Sequence, residues 1–469
     1  MILLFSISLS SIFNLTSSGP LAPEAQQEKK LTLQHSTPLD LPTARKKLTE
    51  GKRKFKLPSN FNSEEFRQVA NGFFQAEGHI SCRIRNKSFY PVFVLTQNFS
   101  FQTLDFFITL WFVLGSNTSL TINKSQSGKL VIRLSSESWN LILGTIFNYF
   151  ALIYGEKYVA FKKLLDIRRL TKSNGENTIF SHIHLAIRLA YSLSLDGVNR
   201  KLTLPEQLTI FGINTIKSPI PMPIYTDNFN IPSVLFLIGF IVGDCSLLIR
   251  LRLVESGSVW IIPLLSIAQL NNAFNPHLFT MFASLFKSLG INVNIKNCTE
   301  LEKKHVLSIT IEGIDNIFQI LLPIFTKYFN YFYWKQSQCE LMIRIAKLIN
   351  AKAHLTLYGF ISILEIIYSY PNNRDKSKEF WVDVIKAWFN SQANLMKSGE
   401  NFIQSVNSRN SVKGVKEIVA WKCVFPKGVP IKSRQFGFTT YVNSEQALKS
   451  AIEYRDKAIQ SWVDSLKKL

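Results

Sequence analysis

The sequence predicts an α+β fold in which two pseudo-symmetric αββαββα repeats form a saddle of β-strands, followed by a small basic α+β module. Two stretches, "GFFQAEGHISCRIR" from Gly72 and "GFIVGDCSLLIRLR" from Gly239, share one outline. Each has a glycine, apolar residues, a small residue and an acid, and then polar and apolar residues alternate. The helices and strands predicted after each stretch follow the same order, and 469 residues suffice for two or three domains.

The composition indicates a folded protein with a polyanionic partner. Hydrophobic residues make up 46% of the chain, charged residues only 18%, and the formal net charge is +22. Such an excess predicts nucleic acid or an anionic membrane as the partner. The five cysteines are widely spaced without a CxxC pair, which argues against a disulfide framework and a zinc site. The abundance of Phe and of Ile, Leu, Asn and Lys is typical of AT-rich genomes and suggests a mitochondrial gene, with the chloroplast as the alternative.

The apolar runs raise the alternative of a membrane protein, which would need about twenty consecutive apolar residues. The run "VLFLIGFIVG" has ten apolar residues and ends at Asp244, and Glu365 interrupts another run. A carboxylate in the bilayer is costly. We therefore expect a buried core helix and no membrane partner.

Residues 61–199 are predicted to form the first repeat, preceded by an N-terminal extension or linker over residues 1–60. Within this extension Arg45 to Lys56, "RKKLTEGKRKFK", is predicted to be a basic linker or arm, in the simpler interpretation a solvated tether. Helices follow from capping residues and apolar spacing, and strands from alternation. The predicted elements are helix Glu64–Glu77 with Asn62 or Ser63 as N-cap, strands His79–Arg85 and Val92–Gln97, helix Ser100–Leu114 ended by Gly115, strands Leu120–Asn123 and Lys129–Leu134, and helices Ser138–Phe150 and Tyr158–Leu170.

Residues 200–232 contain five prolines and are predicted to be a linker between the repeats. Residues 233–395 then form the second repeat with a helical extension. Its predicted elements are helix Ser233–Asp244, strands Ser246–Leu253 and Ile261–Gln269, helix Asn275–Leu289, strands Asn292–Lys296 and Val306–Ile311, and helices Asp315–Phe325 and Lys335–Asn350. Two such repeats predict a monomer with internal two-fold symmetry, which suits a duplex partner.

Residues 400–469 are predicted to be a separate basic module. The segments "VAWKCVF" and "RQFGFTTYV" have the pattern of strands, and Ser444–Leu466 has the pattern of a helix with Ser444 as N-cap.

Small residues four apart indicate that the first helices of the two repeats pair. Gly72 and Ala76 have this spacing, and so do Gly239 and Gly243. Small residues at this spacing let two helices approach backbone to backbone. We expect a parallel pair whose C-terminal ends meet.

Each of these helices ends on an acid, Glu77 in the first repeat and Asp244 in the second. Paired helices would place the two carboxylates side by side, where they repel each other and need cations between them. Hard oxygen ligands and a phosphate substrate select Mg²⁺. A metal so held can polarise a scissile phosphate and activate water.

The strand after each acid alternates apolar residues with Ser and Arg. One face would pack on the core and leave the polar side chains on an open face. Arg on such a ribbon can contact phosphates or guanine edges in a major groove, although a solvated strand has the same pattern. The outward side chains are predicted to be Ser81, Arg83, Arg85, Ser246, Arg250 and Arg252.

At these residues the chain resembles the LAGLIDADG homing endonucleases in their single-chain, two-repeat form. The segments "ANGFFQAEG" from Ala70 and "LIGFIVGDC" from Leu237 resemble the two motifs, and the metal-binding acid of the family falls on Glu77 and Asp244. The resemblance covers roughly residues 65–370. Paired motifs are specific where a single one is not.

The resemblance implies roles for four further residues. Gln97 and Gln269, near the ends of the second strands, would position water near the metals. Lys157 and Lys335, near the starts of the late helices, would lie close to the scissile phosphate.

Three positions depart from the family pattern. Glu77 replaces the usual Asp, and Cys245 stands where a closing glycine is normal, which is expected to shift the entry into the strand. Asn71 is polar within the motif and is expected to face outward.

The expected function is a site-specific double-strand DNA endonuclease encoded within an intron and acting as a monomer. The alternative is an RNA maturase that binds and folds its host intron. The C-terminal module resembles the DNA-binding domain of ethylene-response-type factors and phage integrases through Trp421, Phe438, Ala447 and Ala451. A basic capping module of no named family is the alternative there.

Overall fold

The computed structural model describes residues 40–172, 180–193, 201–213, 220–225, 230–255, 257–270, 275–299, 305–370, 375–394, 403–407, 418–423, 433–437 and 443–467. The sequence expectations for residues 1–39, for part of the proline-rich linker and for Phe438 lie outside these ranges.

The first repeat contains the elements that the sequence predicts, in the predicted order. The bounds agree within a few residues, apart from an earlier start of the second strand. Its elements, with one helix before them, are α1 (Leu41–Lys54), α2 (Ser63–Glu77), β1 (His79–Arg85), β2 (Ser88–Asn98), α3 (Phe101–Val113), β3 (Ser119–Lys124), β4 (Leu130–Ser136), a π-helical turn (Leu141–Ile146) that continues into α4 (Phe147–Tyr149), and α5 (Gly155–Lys172).

Two helices, α6 (Phe180–Tyr191) and α7 (Leu204–Ile210), separate the repeats, and the second repeat then follows the order of the first. This duplication confirms the predicted α+β fold with two αββαββα repeats. The elements of the second repeat are α8 (Val234–Asp244), β5 (Cys245–Leu253), β6 (Val259–Leu270), α9 (Asn275–Ser288), β7 (Ile295–Thr299), β8 (His305–Glu312), a π-helical turn (Asp315–Leu321), α10 (Leu322–Lys327), a 3₁₀ turn (Phe329–Lys335) and α11 (Gln336–Asn350). After them come α12 (Leu357–Ser369) and α13 (Lys378–Asn394).

The two four-stranded antiparallel sheets have the same topology and the same register. Their strand orders are β1-β2-β4-β3 and β5-β6-β8-β7. Cys82 lies opposite Pro91 in the first sheet, and Ile249 lies opposite Pro263 in the second. Equivalent positions in the two repeats can therefore be paired residue by residue.

Buried phenylalanines pack the helices of each repeat against one another over one face of its sheet. Phe73 of α2 contacts Phe106 of α3 edge to face at 5.0 Å, and Phe240 of α8 contacts Phe282 of α9 in the same way at 4.9 Å. All four rings are buried. Because apolar side chains fill this face, the polar residues of the strands lie on the opposite, open face.

The prediction of a solvated tether over Arg45–Lys56 is wrong. Most of this segment lies in α1, whose Ala44 and Leu48 are buried. Its cations cap the free edge of β3: the Arg45 guanidinium donates to the Ile122 carbonyl at 3.1 Å, and the Lys52 ammonium donates to the Leu120 carbonyl at 3.0 Å. The charge density of the segment concealed an amphipathic helix that closes a sheet edge.

The C-terminal module contains strands β9 (Ile403–Asn407), β10 (Ile418–Cys423) and β11 (Arg434–Gly437) and helix α14 (Ser444–Lys467). The strands form an antiparallel sheet in the order β11-β10-β9. The Trp421 indole donates to the Ser444 carbonyl at 3.0 Å and ties the sheet to the helix. The N-cap is Asn443 and not Ser444, because the Asn443 side chain accepts from the Gln446 amide at 2.8 Å.

No helix in the described part of the chain is both long enough and apolar enough to cross a membrane.

Candidate active site

The first helices of the two repeats, α2 and α8, pack together with their backbones in contact. A Cβ added at Gly72 would overlap the Phe236 carbonyl oxygen, and a Cβ added at Gly239 would overlap the Val69 carbonyl oxygen. These contacts are related by the internal duplication, since each residue of one set lies 167 positions from its equivalent. Only glycine at both positions permits so close an approach.

The helix pair holds Glu77 and Asp244 next to each other at its C-terminal end. Gly243 packs against Ala76, and an ideal Cβ on Gly243 would lie 3.2 Å from Cγ of Glu77. Burial and then the negative charge of Asp244 raise the pKa of Glu77. Burial also raises the pKa of Asp244, although its side chain is the more exposed of the two. Lys157 and Lys335 act to lower both pKa values but do not fully offset burial, so a cation would stabilise the charged carboxylates further.

Lys157 and Lys335 cap the C-terminal ends of this helix pair. The Lys157 ammonium donates to the carbonyls of Phe74, Gln75 and Ala76 at 2.9, 2.6 and 3.2 Å. These contacts occupy its three N–H groups, so Lys157 acts on a substrate through its charge unless it leaves the helix end. Burial lowers its pKa to about 8, although nearby acids oppose the shift.

Lys335 uses two of its three N–H groups in the same way, on the carbonyls of Ile241, at 2.7 Å, and of Cys245. Burial lowers its pKa, whereas Cys245, Asp244 and Glu77 act to raise it. Carbonyls at a helix C-terminus carry partial negative charge and disfavour a terminal acid. The two lysines offset that effect at the ends occupied by Glu77 and Asp244.

Asn71 and Gln75 fix the loop that carries Lys157, a role that the sequence did not predict for either residue. Asn71 was expected to face outward, and that is wrong, because it is fully buried. Its amide donates to the Tyr149 carbonyl at 3.0 Å and its oxygen accepts from the Leu152 amide at 2.9 Å. Buried Gln75 accepts from the Tyr154 amide at 2.9 Å. The loop that leads into α5 supplies these partners. The signal in the sequence was a polar residue within an apolar motif, which indicates a buried hydrogen-bond partner.

The second repeat positions its lysine differently. Ile238 and Val242, the equivalents of Asn71 and Gln75, are apolar and buried. Instead the chain before Lys335 turns sharply at Tyr333, whose φ is 43°. The adjacent Trp334 ring packs edge to face on Phe73 at 5.3 Å. The strained residue and the aromatic wedge together fix the start of α11 against α2.

The structure brings only one of the two predicted glutamines to its acid. The Gln269 amide donates to the Asp244 carboxylate. Gln97 instead accepts from the Asn98 backbone amide at 2.8 Å. The two halves of the site are thus similar in their acids and lysines and different in their glutamines.

Cys245 does not distort the entry into β5. Its φ is −108°, which any residue adopts, and its thiol is buried near the Phe240 carbonyl. In the first repeat a Cβ at Gly78 would overlap the Phe74 ring. The equivalent of Phe74 is Ile241, so the smaller side chain leaves room for cysteine.

The strands place the predicted polar side chains on the open faces of the two sheets. These side chains alternate with buried Ile80 and Cys82 in β1 and with buried Leu247 and Ile249 in β5. All six are exposed or half-buried, and they are Ser81, Arg83, Arg85, Ser246, Arg250 and Arg252.

Comparisons with known proteins point to one fold. No protein-family profile and no curated protein matches the sequence. Among solved structures the chain is similar to the meganuclease I-SmaMI bound to uncleavable DNA, with 22% identity, a TM-score of 0.52, and coverage of 67% of this chain and 99% of that one. It is also similar to the I-LtrWI LAGLIDADG homing endonuclease bound to target DNA, with 17% identity, a TM-score of 0.52, and coverage of 67% and 100%.

A third similar structure is the LAGLIDADG homing endonuclease I-GzeII in complex with its DNA target, with 18% identity, a TM-score of 0.52, and coverage of 66% and 99%. Another structure of I-SmaMI is bound to uncleaved target in the presence of calcium ions. At these identities the likeness establishes a shared two-repeat fold.

Proposed function

We propose that this chain, which has the fold of the LAGLIDADG homing endonucleases, is a site-specific endonuclease that hydrolyses both strands of duplex DNA. The observation that carries the proposal is the pair of carboxylates, Glu77 and Asp244, held together where the helix pair ends and the two open sheet faces begin. We further propose that it acts as a monomer, is encoded within an organellar intron, and works in a mitochondrion or chloroplast.

The donors at this position fit a divalent metal that is bound partly by the substrate. Within the described ranges, no three His, Cys, Asp or Glu side chains converge on one point, so the protein offers the two acids without a closed cage. Mg²⁺ binds in this way, through one or two carboxylates together with phosphate oxygens and water. When bound, it would supply a Lewis acid for the scissile phosphate and a more acidic water.

The residues of the chain supply orientation and charge. Glu77 and Asp244 would hold the ions, and a cation between them would relieve the burial and the charge repulsion that raise the pKa of Glu77. Gln269 fixes the rotamer of Asp244 and orients water in its half of the site. The lysine charges at the helix ends stabilise the negative charge that develops on phosphate.

The open faces of the two sheets bind the DNA. Their Ser and Arg side chains lie on twisted antiparallel strands, which fit a major groove, and the net charge of +22 favours a polyanion. Much of the affinity should come from phosphate contacts, so it should fall steeply as salt rises.

The test is cleavage of a plasmid that carries the intronless junction, with Mg²⁺ or with EDTA. We expect linear product only with metal, and no double-strand break with Glu77→Gln or Asp244→Asn. Asp105→Asn is the matched control, because burial also raises the pKa of Asp105 although it lies on α3 outside the site. Cleavage that survives loss of either acid would refute the assignment. Absence of cleavage together with tight binding of the host intron RNA would identify a maturase instead.

A further inference from the structure

Each open sheet face carries one Arg–Glu ion pair that neither the fold nor the proposed metal site requires. The Arg83 guanidinium lies 2.6 Å from the Glu137 carboxylate, and the Arg250 guanidinium lies 3.1 Å from the Glu312 carboxylate. Both glutamates lie at the end of β4 or β8, the strand that is third in the order of each sheet, and both arginines lie on the strand that is first. Each arginine therefore reaches across the strand between them.

The register shows that the two pairs are equivalent. Phe93 lies opposite Ser136 in the first sheet, and its counterpart Leu265 lies opposite Ile311 in the second. Glu137 and Glu312 directly follow those two positions. Since Ser136 and Ile311 face the core, both glutamates point to the open face, as do the arginines.

Stability does not explain the pairs. Their side chains are 43% and 44% exposed in the first repeat and 56% and 44% in the second. Ion pairs so exposed contribute about 0–1 kcal/mol. A carboxylate on a surface that meets phosphates also weakens binding to DNA of any sequence. A role in sequence recognition would account for this cost in both repeats.

We propose that Glu137 and Glu312 are specificity-determining residues that orient Arg83 and Arg250 to read one G·C base pair in each half-site; this rests on the proposed function. The carboxylate engages one Nη of the guanidinium and holds its plane, while the other donors remain directed at the O6 and N7 acceptors of guanine. The two recognised base pairs lie at equal distances from the centre of the target, because the two Arg–Glu pairs are related by the internal duplication.

The experiment measures base preference at every position of the target. A duplex library with single substitutions across the cleaved junction is bound and cut by the wild-type protein, by Glu137→Gln and by Glu312→Gln. We expect each variant to lose about tenfold in preference for G·C at one position, in one half-site for Glu137→Gln and in the mirror position for Glu312→Gln. Binding to unrelated DNA should stay equal or tighten, because a negative charge is removed.

Glu64→Gln is the matched control. Exposed Glu64 pairs with half-buried Arg67 at 3.5 Å on α2, so the variant makes the same charge change away from the open face and should leave the base preferences unchanged. Arg83→Gln should lose preference at the same position as Glu137→Gln, and the double variant should lose no more than Arg83→Gln alone. If the wild-type protein discriminates sequences but the glutamate variants keep its preferences, this inference fails and the proposed function stands. If the wild-type protein has no sequence preference, both fail.

Discussion

Replacing Gly72 or Gly239 with alanine should separate the helix pair on which the site depends. At each position the added methyl group would overlap a backbone carbonyl of the opposite helix, that of Phe236 or of Val69. A backbone atom within a helix cannot rotate away as a side chain can, so the helices must move apart.

The expected size of the effect follows from two opposing contributions. Adding a methyl group to a packed interface costs about 1–3 kcal/mol, and backbone neighbours place this case at the upper end. Alanine gains about 1 kcal/mol over glycine in helix propensity. The net loss in the free energy of unfolding is about 2 kcal/mol, which lowers Tm by about 2–4 °C for a folded unit of this size. A displacement on the order of 1 Å at the carboxylates should slow cleavage about 100-fold.

Thermal unfolding and the rate of plasmid cleavage measure the two effects. Gly144→Ala is the control, because a Cβ at Gly144 meets nothing within 4 Å, and this variant should match or slightly exceed the wild-type Tm. Wild-type stability and cleavage in both Gly72→Ala and Gly239→Ala would refute the close packing of α2 and α8.

Four further outcomes follow from individual residues. Burial and the charge of the neighbouring acid raise the pKa of Glu77, so ionisation of Glu77 opposes folding once the pH exceeds its unfolded pKa. Glu77→Gln should therefore be more stable than the wild type in urea at pH 7. The difference in stability should disappear near pH 4, where Glu77 is protonated in both states. Burial lowers the pKa of Lys157 to about 8, so the wild-type cleavage rate should fall as pH rises through 8. Lys157→Met should cut about 100-fold more slowly, and its pH–rate profile should lack the fall near pH 8. Leu48→Ala should lose about 2–4 kcal/mol in urea unfolding because α1 is part of the core, whereas exposed Lys46→Ala should stay within about 0.5 kcal/mol of the wild type. Asn71→Leu removes the acceptor of the Leu152 amide, whereas the Tyr149 carbonyl keeps its bond from Arg67, and the variant should lose about 1–3 kcal/mol by the same measurement.

The repeated elements could be predicted because their signals are local. Asn62 and Ser233 cap α2 and α8 through hydrogen bonds to amides within three residues of themselves. Strand alternation after Glu77 and Asp244 likewise depends only on adjacent residues. Local rules of this kind fix the order of helices and strands and the two acids that end the first helices.

The sequence predictions were wrong where the role of a residue depends on contacts with distant parts of the chain. Asn71 is buried because the loop around Tyr149 brings two backbone groups to its amide, about eighty positions away. The basic segment in α1 is a helix because the edge of β3 accepts its cations. No property of either segment alone reveals such a partner.

Details within the site also required coordinates. The glutamines form a matched set in the sequence, yet only Gln269 contacts its acid, and Gln97 bonds to its neighbour's backbone. The acids that pair with Arg83 and Arg250 lie more than fifty positions away, at strand ends that the sequence pattern does not align.

A crystal structure of the protein with its target DNA and Ca²⁺ tests the central claim most directly, since that claim places Glu77 and Asp244 together at one metal-binding position. We expect calcium density with an oxygen of each carboxylate at about 2.3–2.6 Å from an ion and a scissile phosphate beside it. Calcium bound at other residues, or carboxylates that face away from both phosphates, would contradict the account.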